Sequence, residues 1–224
     1  MNVTHVVGTR FNLGKGKNTS WTKYRGELLG RFCAEGVKAQ ALKPHIWVVI
    51  VDAATPNSVL NPIIEGLPCE IYRTPKFTGW ALDLAAWLRE RVKTQWTTFT
   101  RVDSDDALHP EYVKDIDAAC TPRRQILTFK GGYVYRLKHK ETYRLAKTNT
   151  SFQTTVERTD TMKTGYCAGH GKLRRLYKVT VLNKFPRWIV VRHEVNERRP
   201  DGVDYPFPKV LDADLQKHFG FLSL

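Results

Sequence analysis

Three carboxylates fall within four positions at Asp103-Ser104-Asp105-Asp106, directly after the run Trp96-Thr97-Thr98-Phe99-Thr100-Arg101-Val102. Side chains alternate along a strand, so Asp103 and Asp105 share a face while the strand lasts, and Asp106 turns aside as the chain leaves it. Carboxylates this close raise one another's pKa unless a metal, an arginine or hydrogen-bond donors compensate them. An all-oxygen set suits a hard divalent ion, Mg2+ or Mn2+, gripping a phosphate-bearing substrate. The competing reading is a solvated turn that caps a helix starting near His109-Pro110-Glu111. The apolar character of residues 96–102 favours a site, because ligands of open α/β sheets bind at the carboxyl ends of the strands.

The elements needed to hold such a site can be read in order. Thr4–Gly8 predicts a first strand, followed by Thr9-Arg10-Phe11-Asn12 and the loop Leu13-Gly14-Lys15-Gly16-Lys17-Asn18. That loop lacks Walker A spacing but offers backbone N–H groups and lysines to phosphates, unless it is simply a mobile surface loop. Apolar spacing predicts a helix over 21–37 with Ser20 as N-cap. The β-branched run 45–51 predicts a strand covered on both faces and ending at Asp52, an acid placed either to meet a ribose or base or to cap a helix. A short strand at 69–72, a helix over 79–93 and the acidic strand follow, giving the order β-α-β-β-α-β. That order implies a mainly parallel sheet flanked by helices. A helix is predicted over 112–120.

Beyond residue 120 the pattern becomes β-rich. Gln125–Phe129 and Tyr133–Leu137 flank Lys130-Gly131-Gly132 and predict a hairpin. Trp188–Val191 predicts another covered strand, ending at Arg192-His193-Glu194. The tail after Pro200 is expected to pack back as an extended arm.

At 224 residues and 25.8 kDa the chain fits one domain of the α/β class. Its expected division is residues 1–120 for nucleotide and metal, 121–199 for an acceptor, and 200–224 as a C-terminal arm. No apolar run approaches the ~20 residues of a membrane span and no secretory leader is evident, so a cytoplasmic protein is expected. Cys33, Cys69, Cys120 and Cys167 lack C-x-x-C spacing, which argues against structural zinc and a disulfide framework. The formal charge is +14, and residues 121–199 hold 19 of the 36 basic but only 5 of the 22 acidic residues. Such a field attracts polyanions, double-stranded DNA among them. Arg136, Lys138, Lys140, Arg144, Arg174 and Arg175 are the candidate phosphate contacts. Tyr133, Tyr135, Tyr143 and Tyr177 are interleaved with them, as base-stacking residues or as half-buried strand residues.

Taken together, Thr9-Arg10-Phe11-Asn12, Gln40, Trp47 with Asp52-Ala53-Ala54-Thr55-Pro56, Thr100-Arg101-Val102-Asp103-Ser104-Asp105-Asp106-Ala107-Leu108, Gly169-His170-Gly171 and Trp188 through His193 to Asn196 resemble the putative rhamnosyltransferase family. The resemblance implies a single-domain GT-A (Rossmann-like) glycosyltransferase with a nucleotide-sugar donor, UDP-linked by first expectation, and Mn2+ or Mg2+ at a D-x-D motif. It places the metal on Asp103, Asp105 and His193, with Asp106 in support at the catalytic centre. Thr9, Arg10, Asn12, Asp52, Arg101 and Asp103 would then meet base, ribose and phosphates. Glu157 and Asp160, with Glu194 as a further option, are the carboxylates considered for a catalytic base.

Size and charge are also similar to those of phage-encoded glycosyltransferases that modify hydroxymethylated pyrimidines in DNA, the group associated with ten-eleven-translocation-type dioxygenases. That likeness makes double-stranded DNA the expected acceptor and the host cytoplasm the expected compartment. The alternatives are a glycan or protein acceptor, a metal-dependent nuclease, and a DNA-binding module without catalysis.

Overall fold

The computed structural model describes residues 2–194 and 207–222. Seven strands form the larger sheet: β1 (Val3–Arg10), β2 (Ile46–Asp52), β3 (Glu70–Thr74), β4 (Trp96–Asp103), β6 (Gln125–Phe129), β9 (Gln153–Arg158) and β10 (Lys178–Leu182). They lie in the order β10-β6-β9-β4-β1-β2-β3. The β4-β1-β2-β3 half is parallel, whereas β9 runs antiparallel to both neighbours. A smaller sheet has the order β5-β11-β7-β8, built from β5 (Ala107–Leu108), β7 (Gly132–Arg136), β8 (Glu141–Leu145) and β11 (Trp188–Arg192). The mixed α/β single domain expected from the sequence is therefore present. Strands from beyond residue 120 extend the larger sheet past β4 and supply all of the smaller sheet except its edge strand β5.

The apolar run of β2 shows why a parallel strand needs no polar face. Val48 and Ile50 pack with Val6, Phe99 and the helix α4 (Trp80–Arg91), while Val49 and Val51 enter a second core on the other face. That second core includes Leu29, Cys33 and Val37 from one long helix. The helix runs as α1 (Thr19–Leu28), a π-helical stretch at Leu29–Ala34, and α2 (Glu35–Lys38). Its N-cap is Asn18, whose Oδ1 accepts the Trp21 N–H at 3.0 Å, two residues earlier than the expected Ser20. Between β2 and β3 the structure adds α3 (Asn57–Ile64), which the sequence pattern hid because Pro62 lies inside it. The helix α5 (Tyr112–Ala119) covers the same face.

The expected hairpin does not form. Its two strands belong to different sheets: β6 pairs with β9 and β10, and β7 pairs with β8 and β11. The glycines serve close approach instead of a turn. A Cβ on Gly132 would lie 2.1 Å from the Trp188 carbonyl oxygen, and one on Gly131 would lie 2.4 Å from that of Leu145. A short helix, α6 (His170–Leu173), precedes β10. The C-terminal segment does pack back, but as a helix, α7 (Asp212–Phe219), because Leu215, Phe219 and Leu222 bury against Phe32, Tyr133, Tyr135 and Ile189. Residues 195–206, which include Asn196 and Pro200, lie outside the described residues.

Gly132→Ala is expected to lower stability by about 3 kcal/mol or more, because the clash is with backbone and the core around Trp188 has no room to yield. Chemical denaturation of the two proteins measures it.

Candidate active site

The acidic tetrad is the turn that carries the chain from one sheet to the other. β4 ends at Asp103, β5 begins at Ala107, and the Asp106 N–H closes the turn on the Asp103 carbonyl at 3.1 Å. β5 pairs antiparallel with β11, so β11 delivers its end to the turn. The Val191 N–H donates to Asp106 Oδ1 at 3.0 Å, and His193 Nε2 lies 2.9 Å from Asp105 Oδ2. From the opposite side α1 supplies Arg25. Its Nη1 donates to Asp105 Oδ2 at 2.5 Å, and its Nη2 to Asp105 Oδ1 at 2.9 Å and to Ser104 Oγ at 2.7 Å. This fork-to-fork geometry is the strongest form of a guanidinium–carboxylate contact. The guanidinium also lies 5.5 Å from the Trp21 ring centre, and Tyr24 meets the His193 ring edge-on at 5.6 Å. A carboxylate oxygen only accepts, so the hydrogen-bond network assigns the proton to His193 Nε2, which donates to Asp105.

Three acids in one turn are tolerable because they do not share one charge state. Burial works against an ionised Asp105, but the His193 hydrogen bond and the Arg25 guanidinium outweigh it and hold its carboxyl well below the usual range. Asp106 has no such partner. Burial, with Asp105 and Asp103 nearby, pushes its carboxyl well above the usual range. Asp103 is half-buried and lies 4.0 Å from Arg10 Nη2.

These contacts test the expected metal set of Asp103, Asp105 and His193, and the set does not fit. Both oxygens of Asp105 and the facing edge of His193 are taken by one another and by Arg25, whose Nη1 is 3.3 Å from His193 Nε2. Asp103 turns to Arg10 instead. Among the described residues no three His, Cys, Asp or Glu side chains are grouped to hold a metal ion.

Strand order reverses next to the acidic turn. β2 and β3 follow on one side of β1, and β4 lies on the other, so β1 and β4 flank the switch point at which open α/β sheets bind ligands. Arg10 and Asp103 are register partners there, at the carboxyl ends of both strands. Beside them a cleft of ≈ 450 Å³ is lined by Gly14, Lys15, Gly16, Lys17, Asn18, Asp52 and Ala54. Asp52 anchors the loop by accepting the Gly14 N–H at Oδ2 and the Ala54 N–H at Oδ1, each at 2.8 Å. The loop passes so close that a Cβ on Gly16 would lie 2.7 Å from that carboxylate.

Of the expected nucleotide-binding residues, Thr9 and Asn12 are buried supports of the strand ends beside the cleft, and Arg101 lies elsewhere. Thr9 is fully buried, accepting from Trp47 Nε1 at 3.0 Å and touching Cys33 Sγ at 3.4 Å. Asn12 is buried too. It donates to Thr55 Oγ1 and accepts the Asp52 N–H, tying the ends of β1 and β2 together. Arg101 is buried over the Tyr166 ring at 4.6 Å and donates to the Gly165 carbonyl, so it braces the segment after β9 and does not face the cleft's lining. Burial pushes the Cys33 thiol up to about 12, so it is a packing group and not a nucleophile.

The remaining expectations are corrected by position. Glu157 pairs in register with Thr97, six residues before Asp103, which is about 20 Å of strand at ~3.3 Å per residue. It is buried there, accepting from Tyr177 Oη at 2.7 Å and from the Lys163 and Thr164 N–H groups. Asp160 lies just beyond that same end and pairs with Arg158 at 2.8 Å. Neither carboxylate reaches the acidic turn. Four of the six expected phosphate-binding cations are engaged with the protein itself. Arg136 pairs with Glu141, Lys138 with Glu194, Arg144 lies over Phe185, and Arg174 donates to Thr148. Tyr133, Tyr135 and Tyr177 are buried, which removes them as base-stacking platforms.

The two sheets and their flanking helices define a mixed α/β domain. More particularly, residues 18–204 match the model of the family described as "Putative rhamnosyl transferase", and the chain belongs to that family of glycosyltransferases. No curated protein sequence matches the chain. Among solved structures, S. aureus TarS 1-349 in complex with UDP-GlcNAc is 16% identical, with coverage of 90% of this chain and 61% of that one and a TM-score of 0.48. The same TarS fragment in complex with UDP is 13% identical, covering 84% and 60% at a TM-score of 0.49. A cytidylyltransferase from Leptospira borgpetersenii is 10% identical, covering 83% and 77% at 0.45. The chain thus spans about three-fifths of the length of the TarS fragment it matches. No helix among the described residues is long and apolar enough to cross a membrane.

Arg25, Ser104 and Tyr24 are the site residues the motifs did not single out. The signal was present, since Arg25 sits four residues after Trp21 and three or four before Leu28 and Leu29, inside an otherwise apolar helical stripe.

Asp105→Asn is expected to cost about 3–5 kcal/mol by leaving a buried guanidinium without its counter-charge. Asp106→Asn keeps an acceptor for the Val191 N–H and is expected to be neutral or stabilising. The Asp105 contribution is present above the ordinary carboxylate value and is lost as pH falls below about 4, whereas the gain from Asp106→Asn grows as pH rises above it. Thermal unfolding of both variants between pH 3 and pH 8 measures the opposite slopes.

Proposed function

We propose that the chain transfers a glycosyl group from a nucleotide sugar, a UDP-sugar by first choice, to a hydroxyl on a glycan or a protein. The observation that carries this reading is the cleft of a rhamnosyl-transferase-family chain in which Asp52 meets a loop bearing Lys15 and Lys17, with Arg10 and Asp103 paired in register at the adjoining strand ends. In this reading Asp52 and Asp103 face the nucleoside, whose hydroxyls and base edge donate hydrogen bonds to carboxylates. Lys15, Lys17 and Arg10 face the diphosphate.

During transfer the bond from the anomeric carbon to the diphosphate oxygen breaks and its electron pair leaves with the nucleoside diphosphate. The acceptor hydroxyl oxygen bonds to that carbon, and one proton is released for each sugar moved. The chemistry asks the protein to stabilise the charge that grows on the leaving diphosphate, which fixed cations at a cleft do without reorganising. The buried acids hold the neighbouring turn in place. Asp105 orients Arg25 and the turn, and Asp106 anchors β11.

A glycan or protein acceptor is preferred to DNA because four of the six cations expected to contact phosphates, Arg136, Lys138, Arg144 and Arg174, have partners within the chain. The test is a panel of UDP-, dTDP- and GDP-sugars incubated with an oligosaccharide, a hydroxyl-bearing peptide and hydroxymethylated DNA, read by mass spectrometry. Sugar on the oligosaccharide or peptide is expected. Transfer to DNA alone would replace the acceptor, and no turnover of any donor would remove the enzymatic reading. Lys15→Ala and Lys17→Ala are each expected to weaken donor binding about tenfold, near 1.4 kcal/mol. Glu157→Gln is expected to lower thermal stability while leaving kcat within about twofold, since it sits at the far end of β4.

A further inference from the structure

We propose that Arg25 occupies the position of a divalent ion, so that nucleotide binding needs no metal, and that removing Arg25 turns the acidic turn into a metal site. Two guanidinium nitrogens have Asp105 Oδ1, Asp105 Oδ2, Ser104 Oγ and His193 Nε2 within 2.5–3.3 Å. Oxygens and an imidazole converging on one point are the donor set a divalent transition metal takes. Here that point is filled by the side chain of the same polypeptide.

The charges balance in the same way. Asp103 and Asp105 face two guanidinium groups, Arg10 and Arg25, where a D-x-D metal site would set two carboxylates against one divalent cation. Arginine holds its proton throughout the physiological range, so this compensation depends on neither pH nor the supply of metal.

Arg25 is also placed to resist displacement. It projects from the second turn of α1, is nearly buried, and packs over Trp21. An entering ion would have to expel a guanidinium that no other described carboxylate contacts within ion-pair distance. Substituting Arg25 removes that competitor while leaving Asp105 beside His193 and Asp103 on the same strand end. The metal-free binding of a nucleotide rests on the proposed function, under which the diphosphate relies on Lys15, Lys17 and Arg10.

The test is a titration of the full chain with MnCl2, following the electron paramagnetic resonance signal of free Mn2+, alongside calorimetry of UDP binding in EDTA and in Mn2+. For the unaltered protein, no loss of the free-ion signal beyond a metal-stripped albumin-free blank and a UDP affinity equal within twofold in EDTA and Mn2+ are expected. Arg25→Ala and Arg25→Gln, checked for folding by circular dichroism, are expected to take up one Mn2+ per chain. Adding His193→Ala to either should abolish that uptake. One-to-one binding by the unaltered protein that disappears in Asp105→Asn would overturn the proposal, as would folded Arg25 variants that take up no Mn2+. If both Arg25 variants fail to fold, the titration of the unaltered protein decides the matter. An absence of UDP binding in either buffer counts against the nucleotide-sugar reading and leaves the Mn2+ result standing.

Discussion

The contact between Arg25 and Asp105 is where the architecture closes. A buried ion pair is tolerated only when its geometry is complete and the leftover hydrogen-bonding capacity is met. Completing this one takes a helix from the first β-α unit, the turn after β4, and the end of β11, separated by 80 and 88 positions in the chain. None of these segments can satisfy its own charge alone. The pair joins the turn between the two sheets to α1, while the register of β1 with β4 sets Asp103 against Arg10 at the switch point.

The smaller sheet follows from this requirement. β5 is only two residues long, yet it carries the acidic turn across to β11, whose end supplies both the Val191 N–H and His193. The inner face of that sheet is buried under Phe32 of the long helix and Leu215 and Phe219 of α7. It is a buttress for the turn. The basic residues carried by the same region pair with Glu141 and Glu194 or lie over Phe185, which limits what a regional charge excess says about a partner. Net charge describes the far field, whereas recognition needs cations that are uncommitted and aligned.

Much of the frame was legible in the residues. The β-branched run of β2, the helical spacing of Trp80–Arg91 and the acid-ended strand β4 announced a mainly parallel sheet with a site at its carboxyl edge. Such features are contiguous, and period and composition record them directly. The misses were of another kind. Gly131-Gly132 read as a turn because a glycine pair looks the same whether it bends the chain or lets Trp188 approach. Glu157 read as available because its sequence neighbours do not reveal the antiparallel register that carries it to the far end of β4. The helix over 57–64 was masked by its own proline.

The residue types alone established that a tight group of acids must find compensation, and they named a metal, an arginine and hydrogen-bond donors as the candidates. Whether the arginine applies depended on whether a side chain from position 25 could reach position 105. That reach depends on how a helix lies across a sheet. Such packing sums many weak contacts from distant parts of the chain, and no local pattern encodes it. Folding brought the guanidinium to the carboxylate, and with it gave the acidic turn its partner.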